Sequence, residues 1–188
     1  MPNKLPAETT LDRRVQRTRD ALRDALMGLM VDIGWDAIEV QLLCERANIG
    51  RSTFYQHYPN KEALLNANFS NLRDGLLNGA ISQDNSLKEM SFLSGLLDHV
   101  HEAQEVFRAL LGRRSGHYVQ DRFKELLLEL FEKEFLAAKT PKWQISARTH
   151  FLAGALFELL VWWLGNNRPH KPAEIEMLFR EWSQSVGE

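Results

Sequence analysis

Apolar residues recur at three- and four-residue steps through most of this chain, and the two-residue alternation of a strand is scarce. Such spacing gathers side chains on one face of a helix, so the pattern predicts an all-α chain. From about Leu11 to Ile33, the residues Val15, Leu22, Leu26, Leu29 and Ile33 form one apolar stripe, closed by Gly34, which accepts a left-handed conformation at a helix end. Two short helices follow, about Val40 to Ala47 and Arg51 to Tyr58. Asn48-Ile49-Gly50 makes a tight turn between them, since Asn and Gly both tolerate positive φ. Pro59 breaks the chain again, and Asn60 caps a helix from Lys61 to about Gly79. Beyond a polar loop at 82–86, helices are predicted at about 87–101, 104–111, 117–138, 143–165 and 172–186. The prolines at 2, 6, 59, 141, 169 and 172 leave the interior of each helix uninterrupted.

The short pair carries the clearest chemistry. Leu43 and Ala47 lie four apart on one helix, Ile49 plugs the turn, and Phe54 and Tyr58 repeat the spacing on the second. Five apolar groups so placed hold the pair at a fixed angle, as in a helix-turn-helix. The outer side of the second helix is left with Arg51, Ser52, Thr53, Tyr55, Gln56 and His57, mostly polar donors with one phenol, a face that suits a major groove.

Three runs, Ala47-Asn48-Ile49, Ser52-Thr53-Phe54-Tyr55-Gln56-His57-Tyr58 and Asn60-Lys61-Glu62-Ala63-Leu64, join a preceding helix with Thr18-Arg19 and its Gly34 ending. Over roughly residues 13–65 the chain thereby resembles the TetR-type one-component transcriptional regulators. The resemblance implies a three-helix DNA-binding domain at 1–62 and a helical effector-binding and dimerisation domain at 63–188. It also implies a homodimer on a palindromic double-stranded operator. The second helix of the motif would enter the major groove, with Arg51, Ser52 and Thr53 facing bases or adjoining phosphates. Which of Arg51, Ser52, Thr53 and Gln56 reads which base stays open. Phosphate contacts are implied for Tyr55, His57 and Lys61, and Lys61 also lies in the first turn of a helix, where the dipole favours an anion. Arg13, Arg14, Arg17 and Thr18 are further phosphate candidates; with Asp12, Asp20 and Asp24 interleaved, the arginines from 13 to 23 also fit an ordinary solvated face. Two positions depart from the family pattern. Glu39 replaces the usual Thr, giving a poorer N-cap and a carboxylate that repels phosphate, and Gly50 stands where a small Ser often opens the recognition helix. Repression is the implied default, with activation open and the helix from Lys61 as the lever between domains.

The remaining two-thirds is read mainly from its own residues. Phe151 to Gly165 is apolar on nearly all sides, shorter than a membrane span needs, and interrupted by Glu158. A helix covered by its own domain on one side and by a second subunit on the other has this character. Phe151, Ala155, Leu159 and Trp163, with Ile175, Leu178, Phe179 and Trp182 on the last helix, are therefore expected to form a four-helix dimer interface. A cavity for a small-molecule effector is expected among Phe92, Phe107, Tyr118, Phe123, Phe151 and Trp162, with His117, His150 and Glu158 as polar anchors; each aromatic taken alone fits a core position better than a cavity wall. Trp162 and Trp163 point about 100° apart, so at most one of them faces a cavity. The stretch from His150 through Trp163 and Pro169 to Glu174 is also similar to the TetR subgroup of dihydroxyacetone-kinase operon activators of the DhaS type, which implies a partner protein instead of a small molecule as effector.

Composition narrows the classes. At 188 residues and 44% hydrophobic, the chain is long enough for one medium domain or two small ones with a real core. Cys44 is the one cysteine, so no internal bridge forms; it reads as a small core residue and fits a reducing cytoplasm. Met1 to Arg23 is polar, unlike a secretory leader. A Gly-rich phosphate loop, a nucleophile elbow and a metal-binding helix signature are all missing, and His99 and His101, two apart, face different ways on a helix. An enzyme, a cofactor and a metal are therefore not expected. With 23 Lys+Arg against 25 Asp+Glu, the net charge of −2 at first disfavours nucleic acid. Residues 1–61 hold nine basic against eight acidic residues, net +1, and 62–188 hold 14 against 17, net −3. DNA binding must then depend on where the cations sit rather than on their number.

Overall fold

A computed structural model describes residues 8–82, 90–112, 115–135, 140–165 and 170–185. The regular elements among the described residues are all helical: α1 (Glu8–Ile33), a single 3-10 turn (Trp35–Ala37), α2 (Val40–Ala47), α3 (Arg51–His57), α4 (Lys61–Ser82), α5 (Leu93–Glu102), α6 (Gln104–Leu111), α7 (Gly116–Phe135), α8 (Lys142–Gly165) and α9 (Pro172–Ser185). None of them is long and apolar enough to cross a membrane. The chain divides into two compact units, Met1–Asn68 and Phe69–Glu188, with the division inside α4.

In the first unit α1 packs on α2 and on the 3-10 turn, and α2 packs on α3. Leu22, Leu26 and Leu29 are buried as their stripe requires, but Val15 is half-buried and Ile33 is exposed. Ile33 is the last residue of α1; the chain turns at Gly34 (φ 78°, ψ 162°), and Trp35 fills the core at that end instead. Ala25 and Met30 complete the buried face. Cys44 is buried, and desolvation pushes its thiol pKa up. A buried, un-ionised thiol is the small apolar residue its position called for.

In the second unit α7 packs along α8, α6 touches both, and α5 packs on α9. Rings fill the middle: Phe123 meets Phe69, Phe107 and Phe157 at centroid distances of 6.0, 5.8 and 6.4 Å, and Phe131 meets Phe92 at 5.1 Å and Phe179 at 6.2 Å. Phe92, Phe107 and Phe123, expected to line a cavity, are thus core residues packed ring to ring. The start of α5 also differs from expectation. Residues 87–89 lie outside the described ones, and 90–92 form a turn in which Met90 takes φ 58°. Its N–H donates to Glu134 Oε1 (2.8 Å), and its carbonyl accepts from Arg180 Nη2 (3.1 Å), so α7 and α9 hold this turn from two sides.

The apolar helix α8 turns one side inward, with Leu152, Leu156, Leu160 and Trp163 buried in its own chain. Trp163 therefore leaves the expected dimer face: its indole N–H donates to the His170 carbonyl (2.9 Å) and its ring stacks on His101. Ile175 and Phe179 leave it too, because α9 lays that side on α5. The outward residues of α8 include Trp143, His150, Phe151, Gly154, Ala155, Glu158 and Trp162, and those of α9 include Met177 and Trp182; Leu159 and Leu178 are half-buried. His150, Phe151, Glu158 and Trp162 are accordingly surface groups rather than cavity linings. So are His117 and Tyr118 on α7. A cleft of this unit bordered by Phe69, Ser70, Arg122, Leu126 and Glu129 has room for about one water (about 10 Å³) and contains none of the expected lining residues.

Candidate nucleic-acid interface

The helix pair forms from short-range chemistry. α2 ends where Asn48 takes the left-handed conformation (φ 53°, ψ 47°), its N–H turned back to the carbonyls of Cys44 and Glu45. The Ile49 N–H closes on the Cys44 carbonyl at 3.0 Å, and α3 starts two residues later. Gly50, expected to share the positive φ, instead has φ −73° and ψ 150°, an extended N-cap without a side chain to cap α3. Only Asn48 needs the left-handed region here, and Asn enters it at low cost. Leu43 and Phe54 are fully buried, while Ala47, Ile49 and Tyr58 are half-buried around them. Phe54 lies at the centre of an edge-to-face contact with Tyr55 (5.4 Å) and a tilted one with Tyr58 (6.2 Å). Burial raises the Tyr58 pKa, partly offset by the charge of Arg19 on α1.

With that side locked, α3 presents Arg51, Ser52, Tyr55 and Gln56 to solvent, Tyr55 at 57% exposure, with Thr53 and His57 at the margin. Arg14 and Arg17 are exposed on α1, three residues and so nearly one turn apart. The Thr18 hydroxyl donates to the Arg14 carbonyl (3.0 Å) within α1.

Lys61 also has a different environment from the one its helix position implied. Its ammonium donates to the carbonyls of Trp35 (3.0 Å) and Ile38 (2.8 Å) and sits 4.5 Å from the centre of the Trp35 ring. Two of its three N–H bonds are therefore spent tying α4 to the 3-10 turn, leaving one for an anion. Asn60 caps α4 as expected, its Oδ1 accepting the Ala63 N–H at 2.8 Å. Glu39 precedes α2 in extended conformation and makes no capping bond.

Two further side-chain links act on the motif. Arg46 on α2 reaches across α1 to Asp32 (2.5 Å), its guanidinium lying over Gly28, where a Cβ would be 2.6 Å from Nη2. Arg51 donates through Nη2 to Gln41 Oε1, and Gln41 Nε2 donates to Glu45 Oε1 (2.8 Å). The i,i+4 spacing of Gln41 and Glu45 was a visible signal for the second half of that chain. Its continuation to Arg51 crosses the turn and had none. Among the described residues no group of three His, Cys, Asp or Glu is placed to hold a metal ion.

Comparison with known proteins agrees with this arrangement. Residues 22–67 match the family model described as bacterial regulatory proteins, tetR family, and residues 89–184 match one described as transcriptional regulator C-terminal region. The chain is 29% identical, over 98% of its length, to the uncharacterized HTH-type transcriptional regulator YxbF of Bacillus subtilis (strain 168). It spans about half (48%) of that curated relative. Among solved structures, a TetR transcriptional regulator from Streptococcus agalactiae 2603V superposes with a TM-score of 0.65 at 25% identity, covering 94% of this chain and 98% of that one. The dihydroxyacetone kinase operon activator DhaS superposes with 0.63 at 20% identity, covering 89% and 96%. FadR of Thermus thermophilus, a repressor solved with lauroyl-CoA, gives 0.62 at 17% identity, covering 88% and 93%.

Proposed function

The chain belongs to the TetR family of bacterial transcriptional regulators, and we propose that it is an effector-responsive repressor that binds a palindromic operator as a homodimer. The observation that carries this reading is α3 itself: buried Phe54 fixes the helix, while Arg51, Ser52, Tyr55 and Gln56 project from its free side. A helix held that way can enter a major groove without rearranging. Arg14, Arg17, Tyr55 and His57, with the remaining proton of Lys61, are the proposed phosphate contacts, which set register while base contacts specify sequence. A domain boundary near residue 62 assigns α1 to α3 to DNA and the later helices to dimerisation and effector response.

For a two-fold operator the two recognition helices must stand about 34 to 36 Å apart. The outward side of α8, with Phe151, Gly154, Ala155 and Trp162, is the proposed dimer face, joined by Trp182 of α9. Nothing lies within 4 Å of a Cβ built on Gly154, so a second helix can approach there. An effector that favours a subunit arrangement with the wrong spacing shifts the population off DNA in proportion to its differential affinity. Control by a partner protein, with activation as the output, is the second reading. The ring-to-ring packing of Phe92, Phe107 and Phe123, where a ligand cavity was expected, favours it.

The test is a fluorescence-anisotropy titration of the purified chain on palindromic duplexes from beside its own gene, at several salt concentrations. The expected result is sequence-selective binding with log K falling linearly in log[salt]. Equal, salt-insensitive affinity for every duplex would overturn the assignment.

A further inference from the structure

The link from Glu45 through Gln41 to Arg51 carries a consequence for sequence reading. A carboxylate only accepts hydrogen bonds and a guanidinium only donates them, so Gln41 can serve both neighbours in one amide orientation: Oε1 toward Arg51, Nε2 toward Glu45. The chain of bonds thus has a fixed polarity. Arg51 is the first residue of α3, and both α2 partners are exposed beside it. A side chain with many rotamers is therefore oriented before any DNA arrives.

We propose, on the premise that α3 is the recognition helix, that Gln41 and Glu45 are positioning residues that aim Arg51 at a guanine and so set one position of the operator. A guanidinium suits either of two planar acceptors, a phosphate or the O6/N7 edge of guanine. The Glu45 carboxylate decides between them. It repels a phosphate approaching the same group, whereas a guanine edge is uncharged. Glu45 also cancels the Arg51 charge across the link, so the set adds selectivity with little bulk attraction, in keeping with a region of nine basic and eight acidic residues through Lys61. One Arg51 donor is spent on Gln41, and the other guanidinium N–H groups leave enough for the two acceptors of guanine.

The experiment is binding-site selection from a random duplex library with the purified full chain, comparing wild type with Arg51→Ala, Gln41→Ala, Glu45→Gln and the Arg51→Ala/Gln41→Ala double variant. Gln41→Asn, which keeps the chemistry but shortens the reach, replaces Gln41→Ala should that variant melt early by circular dichroism. Wild type should select a palindrome with guanine at one position of each half-site, and Arg51→Ala should lower that preference about tenfold. Gln41→Ala and Glu45→Gln should each lower it about threefold at that position; Gln41→Ala should leave the salt slope unchanged and add nothing once Arg51 is gone, whereas Glu45→Gln, which frees Arg51 to meet a phosphate, should steepen the slope by up to about one phosphate equivalent. Base preferences untouched by Arg51→Ala would overturn the proposal, and so would a Gln41→Ala effect spread evenly over all positions. A wild-type chain that selects no sequence would instead overturn the regulator reading on which this rests.

Discussion

Lys61→Met separates two roles for one cation. If Lys61 served only a phosphate, its loss would leave the free protein as stable as before, because surface substitutions away from specific contacts stay within about 0.5 kcal/mol. The structure instead gives its ammonium two carbonyl acceptors, at 3.0 and 2.8 Å, and the Trp35 ring at 4.5 Å. Hydrogen bonds from a charged donor contribute about 1.5 kcal/mol each at the lower end, and a partly exposed cation over an indole about 1 kcal/mol, which sums to roughly 4 kcal/mol. Lys61 is half-buried, so water takes over part of this when the side chain is removed, and a loss of about 2 kcal/mol is the working figure. Met keeps the length of the stem and its contact with Trp35, so the loss reports the charge rather than a cavity. Urea unfolding of the free protein, followed by far-ultraviolet circular dichroism, measures it against wild type. A midpoint equivalent to less than 0.5 kcal/mol of change, in the range of ordinary surface substitutions, would refute the structural role. DNA affinity should fall as well, with a salt slope lower by no more than about one phosphate equivalent.

Other substitutions test neighbouring features. Gly50→Ser should stabilise the protein by about 0.5 to 1 kcal/mol in the same unfolding assay: the backbone is already extended (φ −73°), the nearest atom to a new Cβ is 3.8 Å away, and the hydroxyl supplies the missing cap, so destabilisation would contradict that geometry. Glu39→Thr should cap α2 and tighten operator binding at fixed salt by removing a carboxylate from the phosphate side; unchanged affinity would show that Glu39 lies away from the backbone of the DNA. Gly28→Ala displaces the Arg46 guanidinium, but the Arg46–Asp32 pair is 43% and 52% exposed and so contributes at most about 1 kcal/mol, close to what Ala returns in helix propensity. Its net effect should stay within about 0.5 kcal/mol, and a loss above about 2 would mean the clamp holds α2 far more firmly than an exposed pair can. Trp163→Ala should cost about 3 to 5 kcal/mol in unfolding, whereas Trp162→Asp should leave the monomer folded and raise the dimer dissociation constant in sedimentation; the opposite pattern would reverse the assignment of the two faces.

What could be read from the sequence depended on the distance over which each contact acts. Leu43, Ile49 and Phe54 lie within twelve positions of one another, so their spacing alone dictated the α2–turn–α3 packing. Lys61 meets the carbonyls of residues 26 and 23 positions earlier, and no periodicity encodes that approach. α8 posed the opposite difficulty, since a helix apolar around its circumference carries no record of which side its own chain covers. The packing partners settled it: α7 and α6 take the side with Trp163, and α5 takes Ile175 and Phe179 from α9. The cavity expected among the phenylalanines failed for the same reason, because a residue type that suits a ligand pocket suits a core equally well.

Charge placement follows from the same contacts. Arg23 is bonded to Asp20 and Asp24, Arg46 to Asp32, Arg51 through Gln41 to Glu45, and Lys61 to two carbonyls, so much of the basic content of the first unit is already engaged. Arg13, Arg14, Arg17 and Arg19 remain exposed on α1. Each phosphate neutralised adds about 0.9 to the steepness of log K against log[salt]. A half-site with about four exposed arginines on α1 and the rest of its cations engaged must therefore show a slope no steeper than about 4, and most of its discrimination must survive at salt concentrations that abolish non-specific binding. A steep slope on random duplex would mean that the paired arginines exchange their carboxylates for phosphates, and that the near-neutral balance of this unit is not what limits its attraction to DNA.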